Sequence, residues 1–519
     1  MKQQMIKDIY PLTPLQEGIG FYFLDDPNQS IYYERFILSC EGEIDIDILQ
    51  QAVQKLVDRH DILRTVFQFK RTKRPLQVVL KKRSIEVVFH NLTDDPFKQQ
   101  NLQSLIDEDM KRGFDLEQEM LLRVQVFQMS RKTFKLFLSF HHIILDGWSF
   151  AILMKEMLST YIALKQNKAL ELSEPMQFSH YIQWMMQQNK KDLQYFWQNY
   201  LSEISHIGMI PHDHTATNYV HDAIELRLSA ERTNQLQAFA QKQKVAPNTV
   251  FQAIWSLVLH QYTQSEDIIF GTVVSGRNAD VQKIETIVGM LINTIPSRVK
   301  LDVSDSFVGL VKQLHQTENS KKGFDHASLL EVQEIAGVNE PLFDHILAFE
   351  NFPIEETMKL SNDNHNLGFS ILNMDAFEQT NYNLNIIVAP APELRVTFRY
   401  NKAVYQQSKI QKLAELLEYI ATLVLANANC SIRDYDLVLP VEKEKIVDEW
   451  NHTVTVYPHN EWVDELFQDQ VKRNVNKPAV VSGSTYLSYQ QLEEKSNLVC
   501  QALLSHAIKP GSSIGVVCE

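Results

Sequence analysis

Residues Phe140 to Ser149 read FHHIILDGWS, with His141 and His142 just ahead of Asp146-Gly147 and apolar residues on both sides. A strand leads into this stretch: in KTFKLFLSF (132–140), Phe134, Leu136, Leu138 and Phe140 share one face by the period of two. A helix leads out of it, because Phe150, Leu153, Met154, Met157, Leu158 and Tyr161 recur at spacings of three and four. Asp146 or Ser149 is suited to cap it. The motif is therefore a strand-to-helix junction, where side chains are held rigidly at a sheet edge. Consecutive residues leaving a strand diverge, so one histidine faces a cavity and the other packs.

Outward from this junction, helical and strand signals alternate almost throughout, which gives an α/β fold class. LQQAVQKLVDRHDILRTVF (49–67) is an amphipathic helix with a strand-like tail, and RPLQVVL (74–80) and SIEVVFH (84–90) read as strands. A second α/β stretch begins at residue 223 with a strand and two helices and continues through DIIFGTVVSGR (267–277). The connector 189–223 lacks the glycine-rich composition of a free linker, so a boundary is placed near residue 175 with the connector at an interface. No repeat of fixed period and no low-complexity tract interrupts the pattern.

Composition bounds the function. At 519 residues and 44% hydrophobic content the chain exceeds one ordinary core and should divide into several domains. A net charge of −14 leaves no basic stripe for a phosphate backbone, which excludes nucleic acid as the expected partner. Cys40, Cys430, Cys500 and Cys518 are scattered without a CxxC pair and read as reduced thiols, pointing to the cytoplasm. No stretch approaches the roughly 20 apolar residues of a membrane span, and the N-terminus has no signal-peptide core.

Among chemistries, zinc is disfavoured because adjacent histidines serve its geometry poorly, and His212, His214 and His221 lie in a polar connector. No Gly-x-Ser-x-Gly elbow or activated cysteine context is present. Two readings stay open: a histidine acting as base or hydrogen-bond anchor with a carboxylate orienting the loop, or three satisfied loop residues.

HHIILDG resembles the His-His-x-x-x-Asp-Gly signature of condensation domains from non-ribosomal peptide synthetases. Further motifs occur in that family's order. YPLTPLQEG (10–18) resembles the first, RHDILRTVF (59–67) the second and FSHYIQWM (178–185) the fourth; FGTVVSGR (270–277) with VGMLINTIPSR (288–298) resembles the fifth, and LFDHILAFENFP (342–353) the seventh. His180 departs from the acidic residue many members carry, which puts that helix's local contacts in doubt. VDEWNHTVTVYP (447–458) resembles the linker to an adenylation domain, and the sequence from residue 463 resembles the start of one, with LSYQQL (487–492) as its first core motif. The family's phosphate loop and a carrier serine motif are absent, so a truncated synthetase subunit is expected, one whose last seventy or so residues form a loose tail.

The resemblance implies two chloramphenicol acetyltransferase-like lobes, 1–175 and 176–440, forming a V-shaped pseudo-dimer around a central tunnel. A linker at 441–460 and an adenylation fragment at 461–519 would come after them. It implies amide formation by acyl transfer, from an upstream peptidyl carrier's thioester to the amine of an aminoacyl group on a downstream carrier. No intrinsic cofactor or metal is expected; substrates arrive as phosphopantetheine thioesters. His142 is the expected catalytic side chain, as base or as acceptor of the amine N–H, and His141 is structural. Asp146 is expected to hold the loop by pairing with Arg277, with Arg64 and Arg298 as alternatives. Gly147 would admit the thioester and lend its N–H to the oxyanion, and Trp148, Ser275 and Asn293 would line the tunnel. YPLTPLQEG favours a donor ending in a D-residue, and the motif's nearness to Met1 suggests a carrier on another subunit, docking at the N-terminus, with the adenylation domain of the same module downstream. The alternatives are a non-catalytic recruitment module, an epimerisation domain, or a free-standing acetyltransferase using coenzyme A; a heterocyclisation domain would carry aspartates in place of the histidines.

Overall fold

The computed structural model describes residues 5–25, 31–70, 74–170, 172–204, 208–216, 218–350, 366–457 and 459–517. Met1–Leu439 and Pro440–Glu519 are two separate compact units.

The first unit is built on β1 (Ile6–Pro11), β2 (Tyr33–Gly42), β3 (Thr65–Gln68), β4 (Leu76–Leu80), β5 (Val87–Asn91), β6 (Leu122–Gln128) and β7 (Thr133–His141). Its later half adds β8 (His221–Arg227), β9 (Asp267–Val274), β10 (Asn293–Lys300), β11 (His345–Phe349), β12 (Phe369–Glu378), β13 (Leu384–Ala389) and β14 (Arg395–Asn401). These form a three-stranded sheet β1-β4-β3, a five-stranded sheet β12-β2-β7-β6-β5 and a six-stranded sheet β10-β9-β11-β13-β14-β8.

The strand read from KTFKLFLSF is β7, and its predicted face is the buried one: Phe134, Leu136, Leu138 and Phe140 join one apolar core while Phe137 joins another on the opposite side. Phe36, Phe140 and Phe150 pack as a triad, with the Phe36 ring centroid 5.9 Å from Phe140 and 3.8 Å from Phe150, and Phe140 5.7 Å from Phe150. The helix Gly147–Lys165 is thereby docked beneath the sheet. The later half has its own core under the six-stranded sheet, centred on the helices Pro247–Thr263 and Gln407–Ala426.

One strand departs from a division at residue 175. β12 lies far beyond it in sequence yet pairs antiparallel with β2, from Phe369 opposite Gly42 to Glu378 opposite Glu34. Its inward residues Phe369 and Ile371 enter the core of the first half. Residues 284–291 do the same through Ile284, Ile287, Val288, Met290 and Leu291. The two halves are thus tied by a shared sheet and a shared core, and the crossing strand delivers late residues to the junction around His142.

The second unit contains the helices Val463–Asn474 and Tyr489–Ser505 and a hairpin of β15 (Pro478–Ser482) with β16 (Thr485–Ser488). Ser488 caps the second helix, accepting from Gln491 N at 3.2 Å while the Gln491 side chain accepts from Ser488 N at 3.0 Å. Val471 is its buried apolar residue among those described, whereas Trp462, Val481, Leu498, Val499 and Leu504 are exposed. A hairpin and two helices with so small a core are marginal on their own. Of the motifs read from sequence, Asn351, Phe352, Pro353 and Pro458 lie outside the described residues, as do Met1 to Gln4 and Cys518.

Candidate active site

β7 ends at His141, a short 3-10 turn His142–Ile144 comes next, and Asp146 caps the helix beyond it by accepting from Ser149 N at 2.8 Å. The two histidines diverge. His141 turns its ring edge to Phe114, and its Nδ1 accepts from Ile143 N at 3.2 Å. Burial, and then the charge of His142, push it down to about 3, so it is a neutral, packed imidazole.

His142 faces the opposite way, beside Tyr32, Glu34 and Glu378. Its Nδ1–H points at Leu145 O, 2.6 Å away, and at Glu34 Oε1, 3.0 Å away. Its Nε2 makes no hydrogen bond among the described residues and faces Glu378 Oε1 across 3.7 Å. Burial alone would push this imidazole down; Glu34 and then Glu378 outweigh it and raise it to about 10. Burial also raises the Glu34 carboxyl, pulled back by the same imidazolium. Arg399 Nη1 holds the other oxygen of Glu378 at 3.0 Å. Glu350, just past β11, is pushed up to about 8 by burial and by Glu378.

Asp146 is completely buried. Arg277 grips it with Nη1 on Oδ2 at 2.8 Å and Nη2 on Oδ1 at 3.1 Å, and Leu291 N donates to Oδ2 at 3.1 Å. Burial would raise this carboxyl, but Arg277 and Ser149 hold it below the ordinary range. Ser149 completes the clamp: its hydroxyl donates to Gly289 O at 2.8 Å and receives Arg277 Nη2 at 3.0 Å. Asp146 is thus an anchor joining the junction to β9 and the 287–291 segment, with no free oxygen turned toward His142.

The expected alternatives for its partner are corrected. Arg64 is bound locally, to Asp61 in the same 3-10 turn and to the carbonyls of Val57 and Asp58. Arg298 is paired with Asp267, Nη2 to Oδ2 at 2.6 Å and Nε to Oδ1 at 2.8 Å. Both are satisfied by carboxylates nearer in chain or sheet, and of the three arginines it is Arg277 that pairs with Asp146. Gly147 opens the helix. Trp148 is half-buried, donating Nε1–H to Glu285 O at 3.1 Å under the Arg277 guanidinium. Ser275 is exposed and accepts from Arg277 N at 3.3 Å. Asn293 is buried and spends both amide hydrogens on Asp325 O and Ala327 O, at 2.9 and 2.7 Å, so its donors serve the fold. His180 is exposed and its Nδ1 contacts Gln177 O at 3.1 Å.

Sequence reasoning missed Glu34, Glu378 and Arg399, and read Ser149 only as a helix cap and not as part of the Asp146 clamp. Glu34 had a signal: with Phe36, Leu38 and Cys40 it lies on one alternating face of β2, and a carboxylate on an apolar face demands a partner. Glu34, His142 and Glu378 each offer one ligand atom within 4.8 Å of the others, so the cluster has the composition of a cation site.

The Condensation domain family model matches residues 6–447. Tyrocidine synthase 2 of Brevibacillus parabrevis is 33% identical over 521 residues, covering 100% of this chain and 14% of the relative. The chain thus spans about a seventh of that protein. Among solved structures, the holo four-domain non-ribosomal peptide synthetase AB3403, bound to AMP and glycine, aligns with a TM-score of 0.74 at 15% identity, covering 98% of this chain and 39% of that one. The first condensation domain of the calcium-dependent antibiotic synthetase aligns with a TM-score of 0.69 at 17% identity, over 83% of this chain and 100% of the other. The three sheets of the first unit thus make the mixed α/β fold of those domains, related to chloramphenicol acetyltransferase. With its His-His-x-x-x-Asp-Gly junction clamped by Arg277, the chain belongs to the condensation-domain family of non-ribosomal peptide synthetases, whose members form amide bonds by acyl transfer.

Proposed function

We propose that this chain forms a peptide bond between two carrier-bound groups. The acyl group of an upstream peptidyl carrier's thioester passes to the α-amine of an aminoacyl group on a downstream carrier. The observation that carries this reading is His142, fixed through Nδ1 and its backbone while Nε2 makes no hydrogen bond among the described residues. A thioester is already activated, so alignment of two tethered reactants contributes most, of the order of several kcal/mol. Resting as an imidazolium, His142 has a proton to give, to the developing oxyanion or the departing sulfur. Gly147 N–H, at the start of the helix, is a second candidate donor. Asp146 and Arg277 hold the junction rather than touch substrate. The resemblance of YPLTPLQEG to the D-accepting subtype supports a donor ending in a D-residue.

Transfer between two loaded carriers, read as the intact mass of the acceptor carrier, tests the reading. His142→Ala should lower the rate by about 10²- to 10⁴-fold in a protein that melts lower but still folds cooperatively. Undiminished product in the variant would reject His142, and no product from the parent would favour a recruitment module. Competing D-ending against L-ending donors tests the stereochemical part, which equal rates would reject.

A further inference from the structure

Deepening the carrier-transfer reading, on which it rests, we propose that Glu378 receives the acceptor's amine: its Oε1 accepts an N–H of the attacking nitrogen beside His142 Nε2.

Four observations lead there. Glu378 and Glu34 are direct cross-strand partners on β12 and β2. Like charges in that relation repel, and the His142 imidazolium lies between them, Nδ1 toward Glu34 and Nε2 toward Glu378. The two carboxylates are also not equivalent. Glu34 is buried, 6% exposed, and engaged at Nδ1, whereas Glu378 is 26% exposed and forms the open side of the cluster. Arg399 occupies Glu378 Oε2 at 3.0 Å, which orients Oε1 toward His142. Finally, the 3.7 Å between Oε1 and Nε2 is too long for a hydrogen bond, so Oε1 keeps a lone pair for an N–H placed beside the ring while the lone pair of that nitrogen points at the thioester carbon.

A divalent metal fits the same atoms less well. Imidazole binds a metal through one in-plane lone pair, and Glu34 faces Nδ1 while Glu378 faces Nε2, so the two carboxylates address opposite edges of the ring. That arrangement grips a protonated ring and leaves Glu378 Oε1, rather than Nε2, to accept from a small N–H donor. An α-amine, ordinarily titrating near 8, enters with a substantial neutral fraction at neutral pH.

The chemistry balances. As the nitrogen attacks the thioester carbon, the C–N bond forms and the nitrogen's proton passes to Glu378 Oε1. The tetrahedral intermediate collapses by breaking C–S, and the thiolate takes the proton from His142 Nε2. Glu378 then returns its proton to Nε2 across the vacated gap, so the net transfer is one proton from nitrogen to sulfur. Among the described residues, the other charged or titratable groups around this path include Tyr32 beside the His142 ring, Glu34 from β2, Arg399 from β14 and Glu350 after β11.

The test uses two unreactive probes on the full chain: glycyl-aminopantetheine, with an amide in place of the thioester, and its acetyl counterpart, which lacks only the amine. Calorimetric titration should find the parent binding the glycyl probe about 10- to 100-fold tighter. Glu378→Gln should lose most of that preference while its affinity for the acetyl probe stays the same, which also reports an intact fold. Retention of the preference in Glu378→Gln, or its absence in the parent, overturns the proposal and leaves the carrier-transfer reading standing. Failure of the parent to bind either probe overturns both. Glu378→Asp, which keeps the charge but retracts it, should restore part of the preference that Glu378→Gln loses.

Discussion

Arg277→Ala is the perturbation that most directly tests how the junction is held. It removes both guanidinium bonds from Asp146, leaving a fully buried carboxylate with uncharged donors from Ser149 and Leu291. Breaking a buried ion pair from one side costs about 3 to 5 kcal/mol, because the surviving charge is neither paired nor hydrated. The cost should depend on pH with a definite sign. In the parent, Asp146 titrates below its unfolded value of about 3.9, so its contribution is present above that value and is lost as pH falls through the lower folded value. In the variant, burial without the guanidinium raises the carboxyl, so stability is instead lost as pH rises through the raised folded value. The difference between the two proteins is therefore largest at pH 7 and shrinks toward pH 4. Hydrogen exchange at the amides of Leu291 and Ser149 reads this locally, since both donate to Asp146 in the native state. A deficit below about 1 kcal/mol at pH 7, or an equal deficit at pH 4 and pH 7, would refute the account of Asp146 as a charged anchor.

The same geometry sets three further outcomes. Glu34→Gln should bring the His142 titration down from about 10 toward the ordinary histidine value, as tracked by ¹⁵N-resolved histidine spectra. Because that folded value lies above the unfolded one of about 6.5, the parent's contribution is complete below pH 6.5 and lost as pH rises through 10, and the variant should flatten this decline. Gly276→Ala should destabilise the first unit by about 2 kcal/mol or more, seen as a lower melting temperature: Gly276 has φ +64°, and a Cβ there would strike the Leu291 carbonyl oxygen next to the Arg277 clamp. Limited proteolysis should cut first within residues 445–462, where Trp450, Val454, Val456 and Trp462 are exposed, and intact mass should show a resistant fragment that holds the first unit and ends within that stretch.

Local pattern and long-range pairing separate what was legible in the sequence from what was not. β7, the capped helix after Asp146 and the divergence of the two histidines arise from periods of 2.0 and 3.6, which act within a few residues. The choice among Arg64, Arg277 and Arg298 was not decided by composition, because each guanidinium settles on the carboxylate its neighbours bring near. Arg64 has Asp61 one turn away, and Arg298 has Asp267 across the β9–β10 ladder, where Arg298 pairs with Ile269 and Lys300 with Asp267. Glu34 was legible as an anomaly on an apolar face. Glu378 was not, since its meaning depends on β12 leaving the later half to pair with β2, a register that no local pattern encodes.

That crossing also explains why a strained residue is tolerated beside His142. Tyr32 is a non-glycine residue at φ 63°, a conformation disfavoured for its side chain. It is held from three directions: its N–H donates to Gln379 O at 2.8 Å, its carbonyl receives His142 N at 2.8 Å, and its hydroxyl donates to Asn381 Oδ1 at 2.7 Å. Gln379 and Asn381 lie just past the end of β12, adjoining Glu378, so the same crossing segment supplies both the strain-holding contacts and the second carboxylate facing the imidazole. Backbone strain held by over-determined contacts at a reactive side chain is a form of preorganisation. The consequence is cooperative: detaching β12 from β2 would release Tyr32, remove Glu378 and loosen the backbone bond to His142 in one event. His142 therefore takes its working geometry only when the later half has added its strand, which makes assembly of the whole first unit, and not the His-His-x-x-x-Asp-Gly segment alone, the condition for a reactive site.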